Sequence, residues 1–287
     1  MLPKQTFSSV FVQGRNIDEV WFKLLYELCL KGRFYIVTDG SFAGDFRLEF
    51  DNVDGIIERP VEYNDAGIRL PLSPTTPQGC PAPCADEDLE KYKETYLKDS
   101  RLAINEHYKY ATFISGGLYK IPRIRTLEPE ELWFNEATVI VPNQLEWCKE
   151  HFRKKGFGNN HCCIAVAYPE SNLAYNIPYT DETDRQTSPC LRLIDMKIVY
   201  DESIDTYFLN WYVYFRSQDL WGGWPVNYGG LALLLEETAY DLGIFPGFLK
   251  FSSKGLHVYG HSIEPLVMRS GNDEVIERFE RIKKLYV

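Results

Sequence analysis

Residues 188–261 carry four short motifs in one order: Ser188-Pro189-Cys190, Arg216-Ser217-Gln218-Asp219, Pro225-Val226-Asn227 and His257-Val258-Tyr259. Together they supply a thiol, a cation beside a hydroxyl, a side-chain amide, and a histidine two residues from a tyrosine. Each motif alone occurs by chance in unrelated chains, but the four in one segment form a specific set. They predict a site that binds a polar molecule and attacks it with a thiol.

Cys190 is the candidate nucleophile. The thiolate is the reactive form of cysteine, and a free cysteine is mostly protonated near neutral pH. Arg216 can lower the pKa of this thiol if the strand that ends at Phe215 pairs with the strand that begins at Leu191. The alternative is a buried cysteine that packs as a small apolar side chain.

The other motifs supply hydrogen-bonding groups for a ligand. Arg216 and Ser217 can both donate to phosphate oxygens, although an arginine at a strand end is also often part of a surface salt bridge. Asn227 offers a carbonyl and an amide together, and it can also cap a helix. His257 and Tyr259 lie two residues apart on a predicted strand, so they share one face.

The four motifs and their order resemble the pyrimidine C5-transferases, the family of thymidylate synthases and related nucleotide hydroxymethylases. The resemblance is closest over residues 188–261 and looser over residues 33–170. It implies one α+β domain over residues 1–287, with a thymidylate-synthase-like mixed sheet flanked by helices. It also implies a homodimer that packs sheet against sheet, in which each active site receives residues from the partner subunit.

The resemblance implies methylation or hydroxymethylation of a uracil nucleotide such as dUMP, with 5,10-methylenetetrahydrofolate as the carbon donor. Cys190 would add to C6 of the pyrimidine, because C5 is a poor nucleophile until that addition. The family has asparagine at the position of Asn227 with uracil bases and aspartate with cytosine. The sequence leaves the methyl and the hydroxymethyl product open.

The resemblance also assigns binding roles to the remaining motif residues. Arg216 and Ser217 would hold the phosphate, and Asp219 would orient Arg216 or accept a hydrogen bond from a folate pterin. His257 and Tyr259 would bind the sugar hydroxyl.

Two catalytic assignments lie upstream of these motifs. The family places a glutamate on a helix as its general base, for which Glu90 is the candidate here and Glu94 the alternative, although such carboxylates are usually solvated. Tyr110 resembles the family tyrosine near the nucleophile, or it is an ordinary packed tyrosine.

Three arginines that the resemblance implies are absent. The turn at residues 39–44 has none, and residues 160–163 read Asn-His-Cys-Cys where an arginine pair would reach the partner's site. Because a dianion needs several donors, other cations are expected to substitute: Arg33, Arg47, Arg153, Lys154 or Lys155. The alternatives are a ligand without the usual phosphate, or a catalytically altered nucleotide-binding or structural homologue of the family.

The composition limits the class of protein. A net charge of −10 argues against binding of a nucleic-acid polymer, and no apolar run approaches the roughly 20 residues that span a membrane. The N-terminus lacks the pattern of a secretion signal, and seven cysteines are an odd number. We therefore expect a cytoplasmic protein with reduced thiols and no metal site.

Hydrophobic periodicity and capping residues predict the elements. An irregular, proline-rich excursion is expected around residues 70–85, and 108–114 is expected to be a strand or a turn that lines the site. The predicted helices are 16–32, 86–97, 142–155 and 227–242, and the predicted strands are 34–37, 46–50, 164–168, 191–200, 206–215 and 248–260.

Overall fold

The computed structural model describes residues 6–38, 42–104, 106, 108–121, 124–125, 132–134, 137–175 and 188–286. The strands are β1 Ser9–Gly14, β2 Arg33–Ile36, β3 Phe46–Glu49, β4 Asn52–Ile57, β5 Gly117–Ile121, β6 Ile124–Arg125, β7 Leu132–Phe134, β8 Ala137–Val141, β9 Cys163–Ala165, β10 Leu191–Asp201, β11 Thr206–Phe215, β12 Gln218–Asp219, β13 Phe245–Ser253 and β14 Leu256–Tyr259. The helices are α1 Ile17–Lys31, α2 Asp86–Tyr92, α3 Tyr110–Ile114, α4 Gln144–Lys155, α5 Pro169–Tyr175, α6 Gly223–Asp241, α7 Ile263–Ser270 and α8 Glu274–Tyr286. A π-helical segment, Lys93–Lys98, continues α2.

The main sheet has six strands in the order β1-β4-β13-β11-β10-β9. Its ladders are mixed, because β1–β4 and β11–β13 are parallel whereas β13–β4, β10–β11 and β9–β10 are antiparallel. A second sheet has the order β12-β14-β3-β2. The predicted mixed α and β architecture with helices against a mixed sheet is therefore confirmed.

The core lies between the main sheet and α1 and α6. Strand β11 alternates as a half-exposed strand should, and Trp211, Val213 and Phe215 point into the core. Helix α6 is buried along most of its length because it is apolar on nearly every side. Phe215 meets Tyr228 of α6 with ring centroids 5.8 Å apart, so the strand that leads to Arg216 is fixed on the helix that carries Asn227.

Helix α1 begins as the sequence predicts. The Asn16 side chain accepts a hydrogen bond from the Glu19 backbone nitrogen at 3.1 Å, which satisfies one of the free donors at the helix start. The Glu19 carboxylate in turn accepts a hydrogen bond from the backbone nitrogen of Arg15, the residue before Asn16, at 2.8 Å.

The start of α6 differs from the prediction. The helix begins at Gly223, four residues before Asn227, because Asp219 supplies the cap. Its carboxylate accepts hydrogen bonds from the backbone nitrogens of Trp221, Gly222 and Gly223 at 3.0, 3.1 and 3.3 Å. Asn227 is therefore inside the helix, and its side chain is not used as a cap.

Two other segments complete the comparison with the sequence. Residues 110–114 form a short buried helix rather than a strand, since a short apolar run has no periodicity that separates the two. The segment 70–85 contains no helix or strand. Asp86 holds it by accepting from the backbone nitrogens of Leu72 and Ser73 at 3.0 and 2.7 Å.

Candidate active site

Cys190 and Arg216 are brought together by the β10–β11 ladder. Leu191 pairs with Phe215, so the residues just beyond the paired ends are neighbours. The Arg216 backbone nitrogen donates to the Cys190 carbonyl at 2.9 Å. Its guanidinium donates from Nε to the Pro189 carbonyl at 3.1 Å and from Nη2 to the Ser188 carbonyl at 2.6 Å. The cation is thus held against the turn that presents the thiol.

A second guanidinium, that of Arg192, lies near the same turn. Its Nη2 donates to the Ser188 hydroxyl at 2.6 Å and also to the Asn172 side-chain oxygen. Burial, and then the like charge of Arg216, lower the pKa of Arg192. The sequence analysis missed this residue, although a position two residues beyond Cys190 on a strand shares its face and could have drawn attention to it.

The Cys190 thiol is half-buried, and burial raises its pKa above the ordinary value. The positive charges of Arg216 and Arg192 act in the opposite direction but do not overcome the loss of hydration. The predicted effect of Arg216 on the thiol is therefore present, while the net shift has the opposite sign. Burial thus favours the thiol over the thiolate near neutral pH.

Four tyrosines, Tyr92, Tyr96, Tyr108 and Tyr110, surround the thiol and form what we term the tyrosine cluster. Tyr92 stacks on Tyr96 with centroids 5.2 Å apart, and Tyr96 meets Tyr110 edge to face at 5.1 Å. The Tyr110 hydroxyl accepts a 3.2 Å hydrogen bond from the Leu191 backbone nitrogen, beside Cys190. Burial raises the pKa of all four phenols, that of Tyr96 to about 12, so each stays protonated at neutral pH.

Asn227 is joined to the tyrosine cluster by a chain of hydrogen bonds. Gln218 Nε2 donates to Asn227 Oδ1 at 2.8 Å, and Asn227 Nδ2 donates to the Tyr92 hydroxyl at 2.8 Å. Gly230 makes room for this contact, since a Cβ there would lie 2.5 Å from Cδ1 of Tyr92. The close approach of α2 to α6 therefore places the Tyr92 hydroxyl within hydrogen-bond distance of the Asn227 amide.

His257 and Tyr259 share one face of β14, as the sequence predicts. Their rings meet edge to face with centroids 4.6 Å apart. Nδ1 of His257 must donate to the Gly255 carbonyl, which lies 2.8 Å away and can only accept. Burial lowers the pKa of His257, so the ring is neutral and Nε2 is an acceptor. Within the part of the chain that the structure describes, this buried Nε2 has no hydrogen-bond partner.

Backbone pairing connects the two segments that carry candidate binding residues. Gln218 and Asp219 of β12 run parallel to Leu256 and His257 of β14. Ser217, which precedes β12, is half-buried beside Arg216. The residue that contacts Asn227 and the histidine with an unpartnered nitrogen are therefore placed by adjacent strands.

Comparison with known proteins identifies the family. A protein of Methanosarcina acetivorans named "putative thymidylate synthase" is 35% identical over 252 residues, which are 87% of this chain and 89% of the relative. The chain belongs to the thymidylate synthase family. Proteins of the same name from Methanosarcina mazei and Methanothermobacter marburgensis are 26% identical over 252 residues and 22% identical over 249 residues. The matches cover 87% and 85% of this chain and 89% and 92% of those relatives, whereas no family model matches.

Glu90, the predicted general base of this thymidylate synthase relative, lies in a different environment from the other candidates. Its carboxylate pairs with Arg69 and with Lys93. Burial acts to raise the pKa of Glu90, but these two cations lower it overall. Among the described residues, no hydrogen bond joins Glu90 to Asn227 or Cys190. Glu94, the alternative, is exposed and pairs with Lys93 and Lys98.

Tyr92 is the residue of α2 that contacts Asn227. It lies two residues from Glu90, on the side of α2 where Leu89 and Tyr92 pack against two glycines of α6. The spacing of Leu89 and Tyr92, three residues apart on a predicted helix, indicates a shared buried face, but it does not reveal the contact with Asn227.

Most of the expected substitutes for the family's phosphate arginines are already paired with acids. Arg33 pairs with Asp51 at 2.8 Å and Arg47 with Glu49 at 2.9 Å. Arg153 and Lys154 both pair with Glu150, and Lys155 is exposed at the end of α4. Of the turn 39–44, residues 39–41 lie outside the described residues.

Two further properties concern the described residues as a whole. They contain no cluster of three or more histidine, cysteine, aspartate or glutamate side chains arranged to hold a metal ion. None of the helices described is both long and apolar enough to cross a membrane.

Proposed function

We propose that this protein is a thymidylate-synthase-like C5 transferase that methylates or hydroxymethylates a uracil nucleotide such as dUMP. One observation carries the proposal: the tyrosine cluster links the backbone beside Cys190, where Tyr110 accepts from Leu191, to the amide of Asn227, which donates to Tyr92. A thiol nucleophile, an anion site and a group that reads a base edge therefore belong to one site.

The first chemical step falls to Cys190. Its Sγ forms a bond to C6 of the pyrimidine and the thiol proton leaves to water; the π pair of the C5=C6 double bond shifts to C4=C5, and the π pair of the C4 carbonyl moves onto O4, which gives an enolate. Asn227 Nδ2 has one N–H left after its bond to Tyr92 and can donate it to that oxygen. Such a donor stabilises charge that develops only during the reaction.

The phosphate is assigned to the cations near the turn. Arg216 and Arg192 are both guanidiniums near Ser188, and Ser217 adds a hydroxyl. Guanidiniums bind phosphate through charge-assisted hydrogen bonds, which are the strong ones. Arg192 thus supplies one of the cations that the motif comparison lacked.

The sugar is assigned to His257 and Tyr259. A buried acceptor without a partner is uncommon in folded proteins, and the neutral Nε2 of His257 is such an acceptor. A ligand hydroxyl would satisfy it by donating a hydrogen bond. Tyr259, against the His257 ring, would then contact the same sugar.

The proposed carbon donor is 5,10-methylenetetrahydrofolate, which when bound supplies a one-carbon unit and, for a methyl product, a hydride. Asp219 fits a pterin donor on the basis of its hydrogen bonds. Its carboxylate has about four acceptor positions, and three backbone N–H groups occupy three of them. Asp219 would accept a hydrogen bond from the pterin at its remaining position while it also fixes the start of α6.

A homodimer through the main sheet belongs to the same proposal. Tyr212 and Tyr214 alternate with the buried side chains of β11 and point to the outer face. Tyr212 packs against Phe248 of β13 with centroids 5.6 Å apart. An aromatic outer face of this kind favours contact with a second subunit. Light scattering of the purified protein measures the molar mass and therefore tests whether a dimer forms.

Intact mass spectrometry tests the proposed reaction. Incubation with 5-fluorodeoxyuridylate and methylenetetrahydrofolate is expected to add the mass of both ligands to the wild-type chain. Cys190→Ser should remove the adduct, while Cys163→Ser, at an exposed cysteine, should keep it. An adduct on the Cys190→Ser protein, or none on the wild type, overturns the cysteine mechanism.

The pairing of Arg33, Arg47, Arg153 and Lys154 with acids favours a second candidate, a catalytically altered nucleotide-binding homologue. This candidate predicts that dUMP binds but that no adduct forms. The same incubation, with dUMP binding measured in parallel by calorimetry, separates the two functions.

A further inference from the structure

The side chain of Gln218 has no role in the proposed reaction, although it is buried and bonded to the residue that reads the base. It lies on β12, where its backbone nitrogen donates to the Gly255 carbonyl at 3.0 Å. The strand ladder therefore fixes the backbone from which the Gln218 amide extends, and this amide touches the inner side of Asn227.

The hydrogen bonds give the Asn227 amide one orientation. Its oxygen faces Gln218 Nε2 and its nitrogen faces the Tyr92 hydroxyl, each at 2.8 Å. An amide has two acceptor lone pairs and two N–H donors. One acceptor position on Oδ1 and one N–H on Nδ2 are left by these two bonds to meet a ligand.

That orientation matters because the two pyrimidines offer opposite edges. Uracil presents an N3–H donor beside the O4 acceptor, whereas cytosine presents an N3 acceptor beside the N4 donor. For a ring held in one position, a match to uracil and a match to cytosine need the Asn227 amide in opposite orientations. The choice of base then depends on what holds the amide.

Of the two groups that hold it, Gln218 is the one that favours one orientation, as long as its own amide keeps the orientation observed. The Tyr92 phenol can accept or donate, so it tolerates either end of the Asn227 amide. Gln218 donates through Nε2, and turning only the Asn227 amide would set two N–H groups against each other. The orientation of the Asn227 amide therefore follows that of the Gln218 amide behind it.

We infer that Gln218 determines base preference by holding the Asn227 amide in the orientation that matches uracil. The inference rests on the proposed function, because it assumes that Asn227 faces a pyrimidine. Gln218 is a positioning residue, since it acts through Asn227 and not on the ligand. It is distinct from Asn227 itself, whose identity the sequence already related to uracil.

The test measures a ratio that a merely structural role would not change. Dissociation constants for dUMP and dCMP are determined by calorimetry on the full-length wild-type protein and on Gln218→Met, which keeps the length of the side chain and removes its donor. The wild type is expected to prefer dUMP. The ratio should fall about tenfold in Gln218→Met, as expected when one buried hydrogen bond no longer selects the orientation.

A second variant keeps the test decisive if Gln218→Met does not fold, and it should reverse the base preference. In Gln218→Glu the ionised carboxylate can only accept, so it should turn the Asn227 nitrogen toward itself and favour dCMP, increasingly as pH rises and the carboxyl ionises. Gln144→Met is the matched control, because the Gln144 amide donates to the carbonyls of Phe113 and Ala165 instead. Its dUMP to dCMP ratio should equal that of the wild type.

The outcomes separate this inference from the proposed function. A wild type that binds neither nucleotide overturns both. A wild type that binds dUMP preferentially, with the same ratio in folded Gln218→Met and Gln218→Glu proteins, overturns only the inference. A wild-type preference for dCMP contradicts the amide orientation and also overturns the inference about Gln218.

Discussion

The backbone of Arg216 is bonded directly to the backbone of Cys190, nitrogen to carbonyl oxygen at 2.9 Å. The strand ladder places the two backbones, while the guanidinium is also bonded to the carbonyls of Ser188 and Pro189 in the turn before the thiol. A substitution of Arg216 should therefore act on Cys190 both through its charge and through this turn.

The reactivity of Cys190 should keep rising with pH up to a higher pH than is usual for a cysteine. Because burial raises its pKa above 9.0, the thiolate fraction is small at pH 7 and increases about tenfold per pH unit until the pKa is passed. We expect the rate of alkylation by iodoacetamide, followed by mass spectrometry, to keep rising above pH 9. Arg216→Gln and Arg192→Gln should each move the profile to higher pH, since both cations favour the thiolate. A plateau near pH 7 would mean that the thiolate is already formed in the free protein.

Two conservative variants distinguish the catalytic contribution of Tyr92 from that of Glu90. Tyr92→Phe removes the hydroxyl that accepts from Asn227 and should lower kcat/KM about tenfold, the value of one buried hydrogen bond. Glu90→Gln should change it less than about twofold, because an ion pair with Arg69 on a half-exposed surface contributes little. Steady-state kinetics on both proteins decide between them. The reverse ranking would restore Glu90 as the proton-handling residue that the family resemblance implies.

Asp219 should matter for stability as well as for ligand binding. Its carboxylate satisfies three backbone donors at the start of α6, so Asp219→Ala is expected to lower the free energy of unfolding by about 1–2 kcal/mol. Asp219→Asn keeps an acceptor and should lose about half as much. Urea denaturation measures both. Equal stability of Asp219→Ala and the wild type would show that water replaces the cap at no cost.

The proposed sugar contact of His257 can be tested with a ligand that lacks one hydroxyl. A nucleotide without the 3′-hydroxyl is expected to bind the wild type about tenfold more weakly than dUMP, because Nε2 of His257 then stays unsatisfied. The difference should disappear in His257→Phe. Burial lowers the pKa of His257 from its ordinary value of 6.5, so the ring is still neutral at pH 6.5. The discrimination should therefore persist at pH 6.5 and vanish only at a lower pH, once the ring is protonated. Discrimination that survives in His257→Phe would assign the hydroxyl to another residue.

The sequence predicted the parts of the site that periodicity and motif order determine. Cys190 and Arg216 could be paired because two aromatic, β-branched segments predict adjacent strands. The start of α6 was misplaced because Asp219 was read only as a ligand contact, whereas its carboxylate is also a cap. Tyr92 was missed because it bears no charge, and its role depends on the close approach of α2 to Gly230, which sequence spacing does not reveal.

The parallel pairing of β12 with β14 has a consequence for the size of a ligand. Gln218 donates its backbone N–H to Gly255, and Leu220 donates to the His257 carbonyl at 2.6 Å, so no hinge separates these two strands. Neighbouring strands lie about 4.8 Å apart, a spacing set by backbone hydrogen bonds and insensitive to side chains. Because the Asn227 amide is bonded to the Gln218 side chain of β12, the ladder also sets its position relative to His257, and a molecule whose two polar ends do not match that arrangement would satisfy only one of the two residues.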